Sequence, residues 1–166
     1  MFKAVCGKKG AAVRRFAVAV AAVAALQGCS AADWVLGRPP KVQVDKIQLL
    51  ADSDANGRRP VPVDVVRVGN LALADQLAKV PSQDWFANRA QILRDNPRSA
   101  DIVSWEVVPG QRIGLRELPP FDGRVVAVFV FAGYTTPADH RFRVASDDAV
   151  VVHLLKDTFT VETLTP

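Results

Sequence analysis

The chain has 166 residues, 23% charged and 49% hydrophobic, and a formal net charge of +4. Residues 1–28 hold five bases (Lys3, Lys8, Lys9, Arg14, Arg15) and no acid, which leaves 16 of the 21 bases against all 17 acids in the rest. That near-neutral remainder excludes the basic footprint of a nucleic-acid-binding protein, and its roughly 138 residues suffice for one domain with a core but not for two.

The five bases precede an apolar run at 16–26, and small Gly28 and then Cys29 follow. A basic start, a short apolar stretch and a small residue at the cut site make the pattern of a secretory signal peptide. The run is too short for a membrane-spanning helix, which needs about 20 apolar residues. Leu26-Gln27-Gly28-Cys29 resembles the bacterial lipobox. The resemblance implies that the Cys29 thiol receives a diacylglycerol, that cleavage falls before it, and that the freed amine is acylated. Ser30 stands where inner-membrane retention signals carry Asp, so the same sorting rule implies an outer-membrane anchor with the domain in the periplasm. Cys6 leaves with the signal and Cys29 is lipidated, so no thiol remains for a disulfide. The expected organisation is a signal peptide at 1–28, a lipidated tether at 29–40 and a folded domain at 41–166. Gly37 and Pro39-Pro40 keep the tether irregular, and Trp34 suits either a membrane interface or the domain surface.

Residues 42–50 read as a first strand, with Val42, Val44 and Ile47 apolar among polar neighbours. Asp52-Ser53-Asp54-Ala55-Asn56-Gly57-Arg58-Arg59-Pro60 is a dense turn signal. Residues 62–68 form a second strand, and the two together suggest a hairpin with a charged tip. Residues 72–79 have helical composition, and Pro81 breaks it. Ser82 then caps a helix whose apolar side is Phe86, Ala90 and Leu93, widened by Trp85 and ended by Asn96-Pro97. This helical insertion covers about 71–95. Strands follow at 102–107, 112–118, 125–132, 141–144, 149–155 and 159–164, the third of these a continuous β-branched and aromatic run that suits burial on both faces. About eight strands with turns between them indicate an all-β sandwich carrying a helical insertion.

The chemistry-bearing residues are sparse. Asp52-x-Asp54-x-Asn56-Gly57 matches the opening of a calcium loop, but position twelve is Val63 and position seven is Arg58, so the ligand set is incomplete. An Asx-rich turn gives the same spelling. His140 lies in a polar loop, and His153 lies in an apolar strand. Neither has a cysteine or carboxylate cluster that would suggest zinc. No Gly-x-Ser-x-Gly elbow and no glycine-rich phosphate loop occur in the sequence. The expectation is a protein without catalytic residues, metal or cofactor. Arg141-x-Arg143 reads as a solvated sheet edge, and Trp85 and Trp105 as core aromatics.

In order, these features resemble the TssJ family, the outer-membrane lipoproteins of the type VI secretion system. The likeness rests on the lipobox, Asn56-Gly57-Arg58-Arg59-Pro60-Val61-Pro62-Val63, the insertion around Trp85, Pro109-Gly110, and the strand at 125–132 that ends in Gly133-Tyr134. His140-Arg141-Phe142-Arg143 departs from it, standing where a Trp-Arg pair is expected. The resemblance implies a transthyretin-like β-sandwich and a structural role, in which the lipid-anchored domain binds the periplasmic C-terminal region of the inner-membrane component TssM. It also implies that the loop between the first two strands makes that contact, here Asp52, Asp54, Asn56, Arg58 and Arg59. The alternative is a periplasmic lipoprotein that binds a small ligand or calcium through the same 52–59 loop.

Overall fold

The computed structural model describes residues 41–145 and 149–164. The expected signal peptide, Cys29, the tether and Trp34 lie outside them. Among the described residues eight strands form: β1 (Lys46–Ala51), β2 (Val61–Val68), β3 (Ala100–Val107), β4 (Arg112–Glu117), β5 (Ala127–Ala132), β6 (Arg141–Val144), β7 (Ala149–Leu154) and β8 (Phe159–Thr163). Two helices, α1 (Leu71–Leu77) and α2 (Ser82–Asp95), lie between β2 and β3, which bears out the helical insertion.

The strands make two four-stranded sheets, ordered β4-β1-β7-β8 and β3-β2-β5-β6. All pairings are antiparallel except β1 with β7. The expected hairpin between the first two strands is therefore corrected. β1 hydrogen-bonds β4 and β7, while β2 lies in the other sheet between β3 and β5, so the intervening loop crosses from one sheet to the other.

Alternation along the central strands builds two cores. Val61, Val63 and Val65 of β2 and Val128, Val130 and Ala132 of β5 face Ile47, Leu49, Val150, Val152 and Leu154 of the other sheet. The opposite faces of β2 and β5, with Val66, Val68, Phe129 and Phe131, pack under Leu73, Ala74, Leu77 and Trp85 of the helices. All six residues of β5 are buried, as its unbroken apolar sequence predicts for a strand covered on both sides.

The helix faces differ from expectation. Asn70 caps α1, its Oδ1 accepting from the Leu73 amide at 2.8 Å. Ser82 does not cap α2. It is the first helical residue, is buried, and donates its hydroxyl to the Ala132 carbonyl at 2.6 Å. The inward side of α2 is Trp85, Phe86, Arg89 and Ile92, so Phe86 packs as expected while Ala90 is exposed. The reason lies in β2. Asp64 is fully buried on the helix side, and its carboxylate accepts from Trp85 Nε1 (2.9 Å), Arg89 Nη1 (2.6 Å) and Ser104 Oγ (2.6 Å). A buried carboxylate needs such partners, and meeting them rotates α2 to present Trp85 and Arg89.

Gly133, just after β5, marks a close approach between layers. A Cβ there would meet Pro62 Cγ at 2.5 Å and Phe86 Cε2 at 3.2 Å. The Pro62 ring cannot swing aside, so Gly133→Ala must push β2 or α2 outward. We expect it to cost about 1–3 kcal/mol, the range for overpacking a well-filled interior. A denaturant midpoint within error of the parent would show that the two layers have slack.

Candidate functional site

The candidate loop lies at the end of the sandwich where β1 and β7 finish and β2 and β8 begin. Three other connections share that end: the β3–β4 turn at 108–111, the β5–β6 loop at 133–140 and the β7–β8 turn at 155–158. Lys41, the first described residue, lies at the opposite end, where the Val42 amide donates to the Val125 carbonyl at 3.0 Å.

The loop is not a simple projecting tip. A single 3-10 turn at Ala55–Gly57 buries Ala55 and Asn56. Asn56, Gly57 and Arg58 all have positive φ, at 49°, 61° and 68°. Left-handed backbone costs a residue with a Cβ about 1–2 kcal/mol, so this conformation has to be held in place. Asn56 holds it. Its Nδ2 donates to the Pro60 carbonyl at 3.0 Å, and its Oδ1 accepts from the Thr135 amide (2.8 Å) and hydroxyl (3.0 Å). Its own amide reaches the Leu155 carbonyl at 3.4 Å. Asn56, 3% exposed, shapes the loop from within.

Neighbouring groups complete the bracing. The Asp52 carbonyl accepts from the Ala55 and Gly110 amides, at 3.1 and 3.0 Å, and the Asp52 amide donates to Leu154 O at 2.9 Å. Asp52 Oδ1 pairs with His153 Nε2 at 2.8 Å, both side chains being partly exposed. The Tyr134 hydroxyl bonds the Leu155 and Thr158 carbonyls. Burial drives the pKa of that phenol upward, and the Asp52 and Asp157 charges add to the effect, so it remains a neutral donor.

The structure thus divides the five sequence-selected residues. Asn56 faces inward, Asp52 is held against His153, and Asp54 is half-buried. Arg58 and Arg59 are exposed, and among the described residues neither guanidinium has a hydrogen-bond or ion-pair partner. The oxygens of the calcium-like spelling do not converge: Asn56 Oδ1 is turned to Thr135 and Asp52 Oδ1 to His153. Among the described residues no three His, Cys, Asp or Glu side chains group as metal ligands.

His140 lies in the β5–β6 loop, as its sequence context predicts, but is buried there, stacked on Tyr134 at 4.5 Å with Nε2 at 3.1 Å from the Thr136 carbonyl. The expected solvated edge at Arg141 is revised, since its guanidinium donates to Val80 O at 2.7 Å and pairs with Asp139 at 2.7 Å. Thr135 and His153 were not selected from sequence. Their roles come from contacts 79 and 101 residues away, beyond the reach of any local motif.

The architecture is a TssJ-like β-sandwich, two four-stranded sheets with a helical layer on one of them. No protein-family model matches the sequence and no curated protein does. Solved structures do. The T6SS lipoprotein TssJ1 from Pseudomonas aeruginosa superposes with a TM-score of 0.58 at 15% identity, covering 76% of this chain and 99% of that one. Serratia marcescens Lip, a membrane-bound component of the type VI secretion system, gives 0.52 at 12%, covering 73% and 99%. A chain from the structure of the T6SS protein TssM C-terminal domain (869–1107) from EAEC gives 0.51 at 14%, covering 72% and 97%.

Proposed function

We propose that this chain is a non-enzymatic, outer-membrane-anchored lipoprotein of the TssJ type. In this reading it binds the periplasmic part of the inner-membrane TssM-type component and helps build the trans-envelope membrane complex of a type VI secretion system. The observation that carries the reading is the fold likeness to two T6SS lipoproteins, each spanned over 99% of its chain. Leu26-Gln27-Gly28-Cys29 after a basic and apolar leader supports the same reading, with Cys29 as the lipidated residue, a domain layout of 1–28, 29–40 and 41–166, and a periplasmic domain. The loop bearing Asp52, Asp54, Arg58 and Arg59, with Asn56 as its internal brace, is the proposed contact.

The test is the affinity of residues 30–166 for the periplasmic domain of the TssM-type protein from the same genome. We expect micromolar or tighter binding, weakened at least about tenfold, or 1.4 kcal/mol, when Asp52, Asp54, Arg58 and Arg59 are all changed to Ala. A well-folded domain that does not bind would overturn the reading.

A further inference from the structure

The exposed guanidiniums of Arg58 and Arg59 do not stand alone. The β2–β3 register pairs Val61 with Val107, so Pro60 and Val108 fall opposite one another at the next position. Val108 is 48% exposed, one of the few large apolar side chains left open to solvent, and Pro60 is exposed beside it. The turn that carries Val108 is fixed to the loop. Gly110 N–H donates to Asp52 O (3.0 Å), Ala51 N–H to Gln111 O (3.0 Å), and Gln111 Oε1 accepts from the Val108 amide (2.9 Å). An apolar pair with two unpaired cations beside it is thus set on a braced double loop whose strained backbone positions Arg58. Strain of this kind collects where a surface is kept ready for a ligand.

We infer that the docking surface is this composite, Arg58-Arg59-Pro60 together with Val108, and that it takes a carboxylate-bearing protein segment with an apolar side chain at its centre. The inference rests on the proposed partner-binding function and assigns the sign of charge within it. The bases make the contact, and the acids nearby do not. Asp52 is paired to His153, Asp54 is half-buried, and Glu106 borders the patch on β3. Exposed guanidiniums suit bidentate carboxylate recognition and steer an acidic partner. The apolar pair supplies the desolvated centre that such contacts need.

The experiment uses the full chain in detergent and the same periplasmic partner domain. It compares the parent with R58E/R59E, Val108→Asp and the acid-neutralised pair D54N/E106Q, each checked by thermal melting. R58E/R59E is expected to weaken binding by about tenfold or more, and Val108→Asp severalfold. D54N/E106Q should bind as the parent or more tightly, and rising salt should weaken the parent more than R58E/R59E. If R58E/R59E binds like the parent, or D54N/E106Q loses as much as R58E/R59E, the inference is overturned while the partner reading stands. A parent that does not bind the partner overturns both.

Discussion

Trp85→Ala is expected to remove about 4 kcal/mol of unfolding free energy, the middle of the range for deleting a large buried aromatic. Trp85 is fully buried, stacks on Phe131 with centroids 4.7 Å apart and planes at 15°, and donates Nε1–H to Asp64. Its loss would open a cavity between α2 and β5 and withdraw one of the three donors that hold a buried carboxylate. Domains of this size have about 5–15 kcal/mol in total, and the melting temperature should fall by roughly 15 °C. Trp85→Phe separates the two contributions, because it keeps most of the ring and removes only the donor. It should lose about 1–2 kcal/mol, the range for one unmade buried hydrogen bond. A parent-like melt for the alanine variant would mean that the helical layer is an ornament on a self-sufficient sandwich.

The second large effect concerns a buried cation. Arg67 lies on β2 with a side chain 6% exposed. Nε and Nη2 grip both carboxylate oxygens of Asp101 on β3, at 2.9 and 2.5 Å, Nη1 donates to the Pro119 carbonyl at 2.6 Å, and the guanidinium lies 5.4 Å from the Phe121 ring centroid. Asp101→Ala strips the counter-charge from a mostly buried guanidinium and should cost about 1.5–3 kcal/mol, the range for hydrogen bonds to a charged group, because water can take part of the place of a carboxylate that is itself 37% exposed. Arg67→Met should cost less. It replaces the buried charge with a chain of similar reach, and Asp101, 37% exposed, can return to water. The order of the two variants in a urea titration is the critical result. If Arg67→Met is the more damaging, packing of the arginine stem outweighs its charge.

Asp64 and Arg67, the partners of Trp85 and Asp101, stand in plain view within Val61-Pro62-Val63-Asp64-Val65-Val66-Arg67-Val68. An acid and a base inside a valine strand are the mark of buried, partnered charges, and a reading for alternation passes over them. The finer rotation of α2 is hidden for the same reason. The helix turns to satisfy Asp64, so Trp85 and Phe86 pack inward as the apolar pattern predicts, while Arg89 takes the place that the pattern gives to Ala90. The strands themselves were legible because period-two alternation and the unbroken run at 125–132 are local properties. Their partners were not. Neighbouring strands with a turn between them read as a hairpin, yet β1 pairs with β4 and with β7, about a hundred residues on. In the candidate loop, Asp, Asn and Gly announced the turn. That Asn56 points inward and Arg58 outward follows from Thr135 and Leu155, which no motif connects to it.

The parallel pairing of β1 with β7 sets an order on folding. Every strand of the β3-β2-β5-β6 sheet lies within residues 61–144, and both helices that cover it arise there too. That half can close before the last twenty residues are available. The other sheet cannot, because β1 emerges first and its parallel partner begins only at Ala149. Contacts of such long sequence separation form slowly. Until β7 forms, β1 has β4 as its one hydrogen-bonded strand partner among the described residues, which leaves its other edge unpaired and prone to misassociation. Completion of the sandwich is a C-terminal event, so losing β7 and β8 would deprive β1 of its parallel partner and uncover the inner valine face of β2 and β5.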